Sequence, residues 1–245
     1  MRAYLITLLS LVISAQLRAQ KVEVYADANA GLFHYAGKST TSTSFFNSAP
    51  NNTYTNNPYG NKNGFSYGGA VRAQYVGKSG FIAGLQTGYE ILRSKVDITR
   101  VYPLMINLYY GPAVNYAAAV PYASKGEVFL QNSNINMNPY IGYRIKTKTV
   151  KIDLLPGIDL GFNIKSYDKG KATVDDGTVY KVDQKRTNAP TDIRLRFGIA
   201  ASFRRTGITA SVAHGLTNYE SRVIGDAAYE AHSELLRFGI TYKLF

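Results

Sequence analysis

The chain has 245 residues, with 20 Tyr, 11 Phe and 22 Gly against no Trp and no Cys, and a formal net charge of +12. The lack of Cys excludes disulfides, thiolate metal centres and cysteine nucleophiles, so rigidity must come from hydrogen-bond ladders. Past the leader described next, no apolar run reaches the roughly 18 residues of a helical span, so any membrane crossing has to be made by strands.

Residues 1–19 read as a cleavable signal peptide: Arg2 near the start, an apolar stretch from Leu5 to Ala15, and Leu17-Arg18-Ala19 as the cleavage site before Gln20. Losing Arg2 and Arg18 leaves a charge of about +10 on residues 20–245. No Cys follows the cleavage site, which excludes a lipoprotein anchor. The rest divides into segments that alternate apolar and polar with period two. They run Val22 to Ala36, Gly64 to Val76, Phe81 to Ile98, Glu127 to Ile145, Val150 to Lys165, Asp192 to Arg204, Ile208 to Tyr219, and Ser233 to Phe245. The segment from Asp192 is the clearest: Ile193, Leu195, Phe197 and Ile199 lie on one face, Asp192, Arg194 and Arg196 on the other.

Strands of globular proteins usually have about 5 or 6 residues, whereas a tilted bilayer-spanning strand needs about 9 to 11. Alternation over a dozen or more residues therefore predicts an all-β chain, a transmembrane antiparallel up-and-down β-barrel of about eight strands. The connections support it. Gly77 to Gly80, Lys146 to Thr149 and Arg205 to Gly207 are short, while Gly37 to Asn63, Thr99 to Gly126 and Ser166 to Thr191 are long. Sorting of this kind puts the short turns and both termini on the periplasmic side of a bacterial outer membrane. Gly37 to Asn63, rich in Ser, Thr and Asn, reads as a polar, mobile outer loop. Val101 to Tyr122 is unusually apolar for a loop. It is a partner-contacting loop through Tyr102, Leu104, Met105, Leu108, Tyr109 and Tyr110, a plug, or an extra hairpin that raises the strand count to ten.

The inward face collects both signs of charge. Arg72, Glu90, Arg144, Lys151, Asp153, Asp159, Arg194, Arg196 and Arg237 form the candidate lumen network, joined by Glu23, Asp27, Lys165, Asp192, Arg204 and Lys243. The interior of an eight-stranded barrel is filled by side chains, so these groups are expected to pair across it; the alternative is a narrow path for ions or small solutes lined by Arg194, Arg196 and Arg237. His34, His214 and His232 lie in different segments without ligand spacing, which points to no metal, and His34 and His214 fall on the outward face. His232 with Asp226 and Ser233 is a chance triplet of loop residues, so no catalytic or cofactor-binding residue is assigned and the chain is not expected to be an enzyme. Gly77-Lys78-Ser79 echoes a phosphate-binding loop, but Arg72 stands where its first Gly belongs. The Arg side chains between Arg194 and Arg205 point mostly to the lumen, which argues against nucleic acid. Phe65, Tyr67, Tyr75, Phe81, Tyr89, Tyr143 and Tyr242 near strand ends are expected in interfacial aromatic girdles.

Pro190 to Phe203, Ala213 to Tyr219, Arg237 to Phe245 and Leu154 to Gly161 together resemble the PorT-like outer-membrane β-barrel domain family of Bacteroidetes. The resemblance covers most of residues 20–245 and implies a barrel without catalytic signature. One branch of that family is linked to type IX secretion. Phe245 is last, as barrel-insertion signals prefer, but Lys243 stands where such signals often carry an aromatic. The expected function is a structural or interaction role in an envelope or secretion-associated assembly. The expected partners are outer-membrane lipid, lipopolysaccharide and envelope proteins.

Overall fold

A computed structural model describes residues 22–49, 52–103, 120–187, 189–221 and 229–245; segment 1–19, expected from the sequence to be a signal peptide, lies outside them. The described residues form eleven strands and no helix: β1 (Val22–Ala36), β2 (Thr43–Ala49), β3 (Asn52–Thr55), β4 (Lys62–Val76), β5 (Phe81–Pro103), β6 (Tyr122–Lys146), β7 (Lys151–Val174), β8 (Val179–Arg186), β9 (Asp192–Phe203), β10 (Thr206–Gly215) and β11 (His232–Lys243).

Eight of them close a ring in the order β1, β4, β5, β6, β7, β9, β10, β11 and back to β1, every pairing antiparallel. These are the eight segments that alternate in the sequence. With β2, β3 and β8 set aside, each ring strand is followed around the barrel by the next in the chain, which is the up-and-down order. Closure leaves the ring no free edge, the condition for placing a sheet in hydrocarbon. The outward face is apolar, with Val71, Leu85, Ile141, Leu195, Phe197 and Ile240 exposed. Tyr75, Phe81, Tyr143 and Tyr242 are exposed near the short-turn end, and Phe65, Tyr67 and Tyr89 toward the other, as two girdles require. The short-turn end also holds both ends of the ring. At Gly80, φ is +97°, and a Cβ there would come within 2.8 Å of the Arg144 carbonyl oxygen, so the turn needs glycine.

Three ring strands are much longer than the rest. β5, β6 and β7 have 23, 25 and 24 residues, against 10 to 15 for the others. Their outer halves project past the ring, and three short strands extend the sheet there. β2 pairs β5 in parallel, β3 pairs β2, and β8 pairs β7. Within the stretch from Gly37 to Asn63, expected to be a mobile loop, Thr43–Ala49 and Asn52–Thr55 are therefore built into sheet, and fully buried Phe46 anchors β2. The parallel β2–β5 pairing is a departure from an all-antiparallel fold, confined to this extension. Phe46, Val96, Ile98, Val101, Val128, Ala172, Val174 and Val182 form its apolar core. β5 and β6 pair as far as Val101 opposite Tyr122. Of the predicted contact segment, Tyr102 lies at the end of β5 with its ring 4.8 Å from that of Phe45; Leu104, Met105, Leu108, Tyr109 and Tyr110 lie outside the described residues.

Candidate functional site

The ring strands turn alternate residues inward, and the polar half of each alternation meets in the lumen in three tiers. Nearest the short turns, Arg144 on β6 grips Asp153 on β7 with two bonds, Nε to Oδ1 at 2.6 Å and Nη2 to Oδ2 at 2.7 Å. The same Nη2 reaches across to Glu23 Oε2 on β1 at 2.7 Å. Lys243 donates to Glu23 Oε1 at 2.8 Å, and Gln74 donates to both Glu23 and Asp153. Lys151 stands at the mouth, 4.0 Å from Glu23 and partly exposed.

In the middle tier Arg72 lies 3.3 Å from Asp27, and its guanidinium covers the Tyr25 ring at 4.4 Å. Gln86 links the tiers: it donates to Asp27 at 2.8 Å and accepts from Arg196 at 2.6 Å. In the third tier Glu90 accepts from Arg194 at 2.6 Å through one oxygen and from Arg237 at 2.5 Å through the other. Arg237 also donates to Asp159 at 2.8 Å, and Arg196 approaches the second Asp159 oxygen at 3.5 Å. Asp192 lies 3.7 Å from Arg194 and accepts from Ser233. Arg194 is among the largest fully buried side chains of the described residues.

With partly exposed Lys151 at the mouth set aside, the charges balance. Glu90, Asp159 and Asp192 face Arg194, Arg196 and Arg237; Glu23, Asp27 and Asp153 face Arg72, Arg144 and Lys243. Inside a wall surrounded by hydrocarbon an unpaired ion is costly, and mutual neutralisation is what lets twelve charges share so narrow a space. Little room remains. The lumen cavity between Arg72, Asn138, Arg196 and Arg237 has a volume of about 30 Å³, enough for a water or two.

Outward of the third tier the lumen is stoppered by tyrosines. The Tyr35 ring meets Tyr59 and Tyr219 edge-on at 5.1 and 5.0 Å, and Asn132 donates to the Tyr35 hydroxyl at 2.7 Å. Burial pushes the Tyr59 phenol up, and the Glu220 carboxyl beside it in sequence order after Tyr219 is pushed up for the same reason.

All nine residues of the candidate network are thus in the lumen or at its mouth. Two further inward assignments are corrected. Lys165 is exposed on the outside, because β7 carries one extra residue, Ile164, between the pairs Asn134–Asn163 and Ser133–Lys165. Arg204 sits at φ +53° in the turn before β10, exposed, with its guanidinium 5.1 Å from the Phe203 ring. Ser233 faces the lumen and His232 does not share its contacts, while Asp226 is outside the described residues; no group of three or more metal-ligating side chains occurs among the described residues. The neutral members of the network, Gln74, Gln86 and the inward Asn132, Asn134, Asn136 and Asn138, escaped sequence reasoning, although four Asn at every second position of β6 are a visible signal.

A closed, up-and-down eight-stranded ring with an apolar outer belt and a charged, filled interior defines a transmembrane β-barrel, the architecture of bacterial outer-membrane proteins. No protein-family model and no curated protein matches the chain. Among solved structures it is similar to Neisserial surface protein A, at 14% identity and a TM-score of 0.34 over 90% of this chain and 97% of that one. It is also similar to Ail of Yersinia pestis, at 12% and 0.31 over 92% and 99%, and to the translocator domain of the autotransporter NalP from Neisseria meningitidis, at 9% and 0.29 over 98% and 95%. Likenesses this distant carry no argument; the strand ring rests on the pairings described above.

Proposed function

We propose that the protein is a non-conducting, non-catalytic barrel of the bacterial outer membrane, with a structural or interaction role in an envelope assembly, and that its outer extension is the surface it presents. One observation carries this reading: the lumen is filled by a charge-balanced stack of ion pairs and stoppered by Tyr35, Tyr59 and Tyr219. A solute path needs groups that bind weakly enough to let go and a connected space between them. Here each inward Arg is committed to carboxylates, and the cavity by the tyrosines measures about 60 Å³. The extension, by contrast, is a built element with its own core, set beyond the lipid-facing belt where partners can reach it. The strand signatures of Pro190 to Phe203 and Arg237 to Phe245 support placing it with PorT-like barrels, and through them with secretion-associated assemblies.

The test joins two measurements on the full chain. In a planar bilayer the reconstituted protein should stay at background conductance, and extracted from its own membrane in mild detergent it should migrate with stoichiometric partner chains. Stepwise conductance that changes on Arg194→Gln with Arg196→Gln would replace this reading with the narrow pore.

A further inference from the structure

The extension carries a second charge pattern that the lumen network does not use. Immediately past Ile164, the last lipid-facing residue of β7, the outward face of β6, β7 and β8 becomes a lysine array: Lys165, Lys169 and Lys171 on β7, Lys181 and Lys185 on β8, Lys125 on β6. Lys169 has an anionic neighbour, Asp183 at 3.6 Å. Glu127 is opposite Lys171 in the β6–β7 register, but its carboxylate is held by Lys95 on β5 at 3.0 Å. Lys125, Lys165, Lys171, Lys181 and Lys185 have no ion-pair partner among the described residues.

Two features make the array more than a solvated face. Lys171 and Lys181 are direct cross-strand partners, a like-charge placement that weakens a sheet unless an anion bridges it. The array is also one-sided. Near the outer ends of β1, β10 and β11 the outward residues include His34, His214 and Glu234, with His214 hydrogen-bonded to Glu234. Alternate residues on a strand are about 6.6 Å apart and neighbouring strands about 4.8 Å, so the ammonium groups form a ladder that starts at Lys165, directly past the lipid-facing belt, and climbs about 20 Å along β7 to the Lys171–Lys181 pair.

We propose that the Lys165, Lys171, Lys181 and Lys185 array is a docking site for the phosphate groups of outer-leaflet glycolipid, holding one or more such lipids against the β6–β8 sector. This rests on the outer-membrane reading above and names the lipid chemistry it meets. Each ammonium donates to phosphate oxygens, the fit is electrostatic, and binding weakens with salt.

The experiment uses the full chain folded into phosphatidylcholine vesicles doped with bisphosphorylated lipid A. Variants are Lys165→Gln, Lys171→Gln, Lys181→Gln and Lys185→Gln combined, the same four positions changed to Arg, and a control of Lys78→Gln, Lys146→Gln and Lys148→Gln at the opposite end. Heat-modifiable migration on a gel reports barrel formation separately from lipid binding. The wild type should bind the bisphosphorylated lipid in preference to its dephosphorylated form; the four-Gln variant should fold and bind at least about tenfold more weakly, with the Arg set and the control like wild type. Equal binding by the four-Gln variant overturns the proposal, as does capture of a sulfated polysaccharide with no preference for phosphorylated lipid. Failure of the wild type to form a heat-modifiable barrel in any vesicle overturns the membrane reading instead.

Discussion

β7 runs through two regions of opposite polarity in a single strand of 24 residues, and the contrast between them shows how the surroundings dictate the interior. Below Ile164 its inward residues include Asp153 and Asp159, and its outward ones Ile158 and Phe162; above it the inward residues include Ala172 and Val174, and the outward ones Lys165, Lys169 and Lys171. In the ring, hydrocarbon outside requires an apolar outer face, and a polar interior is admissible because every charge has its counter-charge. In the extension, water outside accepts lysines and the interior gains by excluding water from Val96, Val128 and Val182. Backbone pairing with β6 resumes directly after the one bulged residue, Ile164, so the strand crosses the boundary as a single element and its side chains carry the inversion.

Deleting Ile158 should have the largest effect. A one-residue slip moves a strand's whole inward set to the other face until a bulge absorbs it. Whichever side of the deletion shifts, Asp153 or Asp159 is turned into hydrocarbon and Arg144 or Arg237 loses its partner. The expected result is loss of the heat-modifiable band; a folded barrel with intact migration refutes the register. Glu90→Gln acts next. It leaves Arg194 and Arg237 sharing one carboxylate fewer in the third tier, and breaking a buried pair from one side costs about 3–5 kcal/mol. Denaturant unfolding in detergent micelles should show that loss for the ring. A change under about 1 kcal/mol would mean that water, not ion pairing, stabilises the lumen.

The ring was legible because hydrocarbon imposes the same alternation on every strand: from Asp192 to Phe203 each side chain declares its face. The extension was not. Its strands β2 and β3 sit in a stretch of Ser, Thr and Asn, where only Phe45-Phe46 hints at burial, and the β2–β5 pairing joins segments about fifty residues apart without any local sign. The tyrosine stopper is assembled from three places in the chain and has no motif. For the lumen, alternation selected the charged residues; it was blind to Gln74 and Gln86, because neutral polar side chains do not demand a partner as charges do. Lys165 was misplaced since strict alternation has no means of counting an extra residue.

That extra residue yields the smallest and most discriminating effect. Ile164 is unpaired between Asn163, opposite Asn134, and Lys165, opposite Ser133. Removing it lets Lys165 follow Asn163 directly, and both keep their present faces: Asn163 in, Lys165 out, Ser166 in. Every charge of the lumen and every residue of the extension's core stays where it is, at the loss of one lipid-facing side chain and the local bend a bulge provides. Deletion of Ile164 should therefore leave heat-modifiable migration and the protease-resistant fragment pattern of wild type, where deletion of Ile158, six residues away in the same strand, abolishes both. If the two deletions behave alike, Ile164 is not an unpaired extra residue, and the register of β7 on β6 beyond Asn163 is wrong.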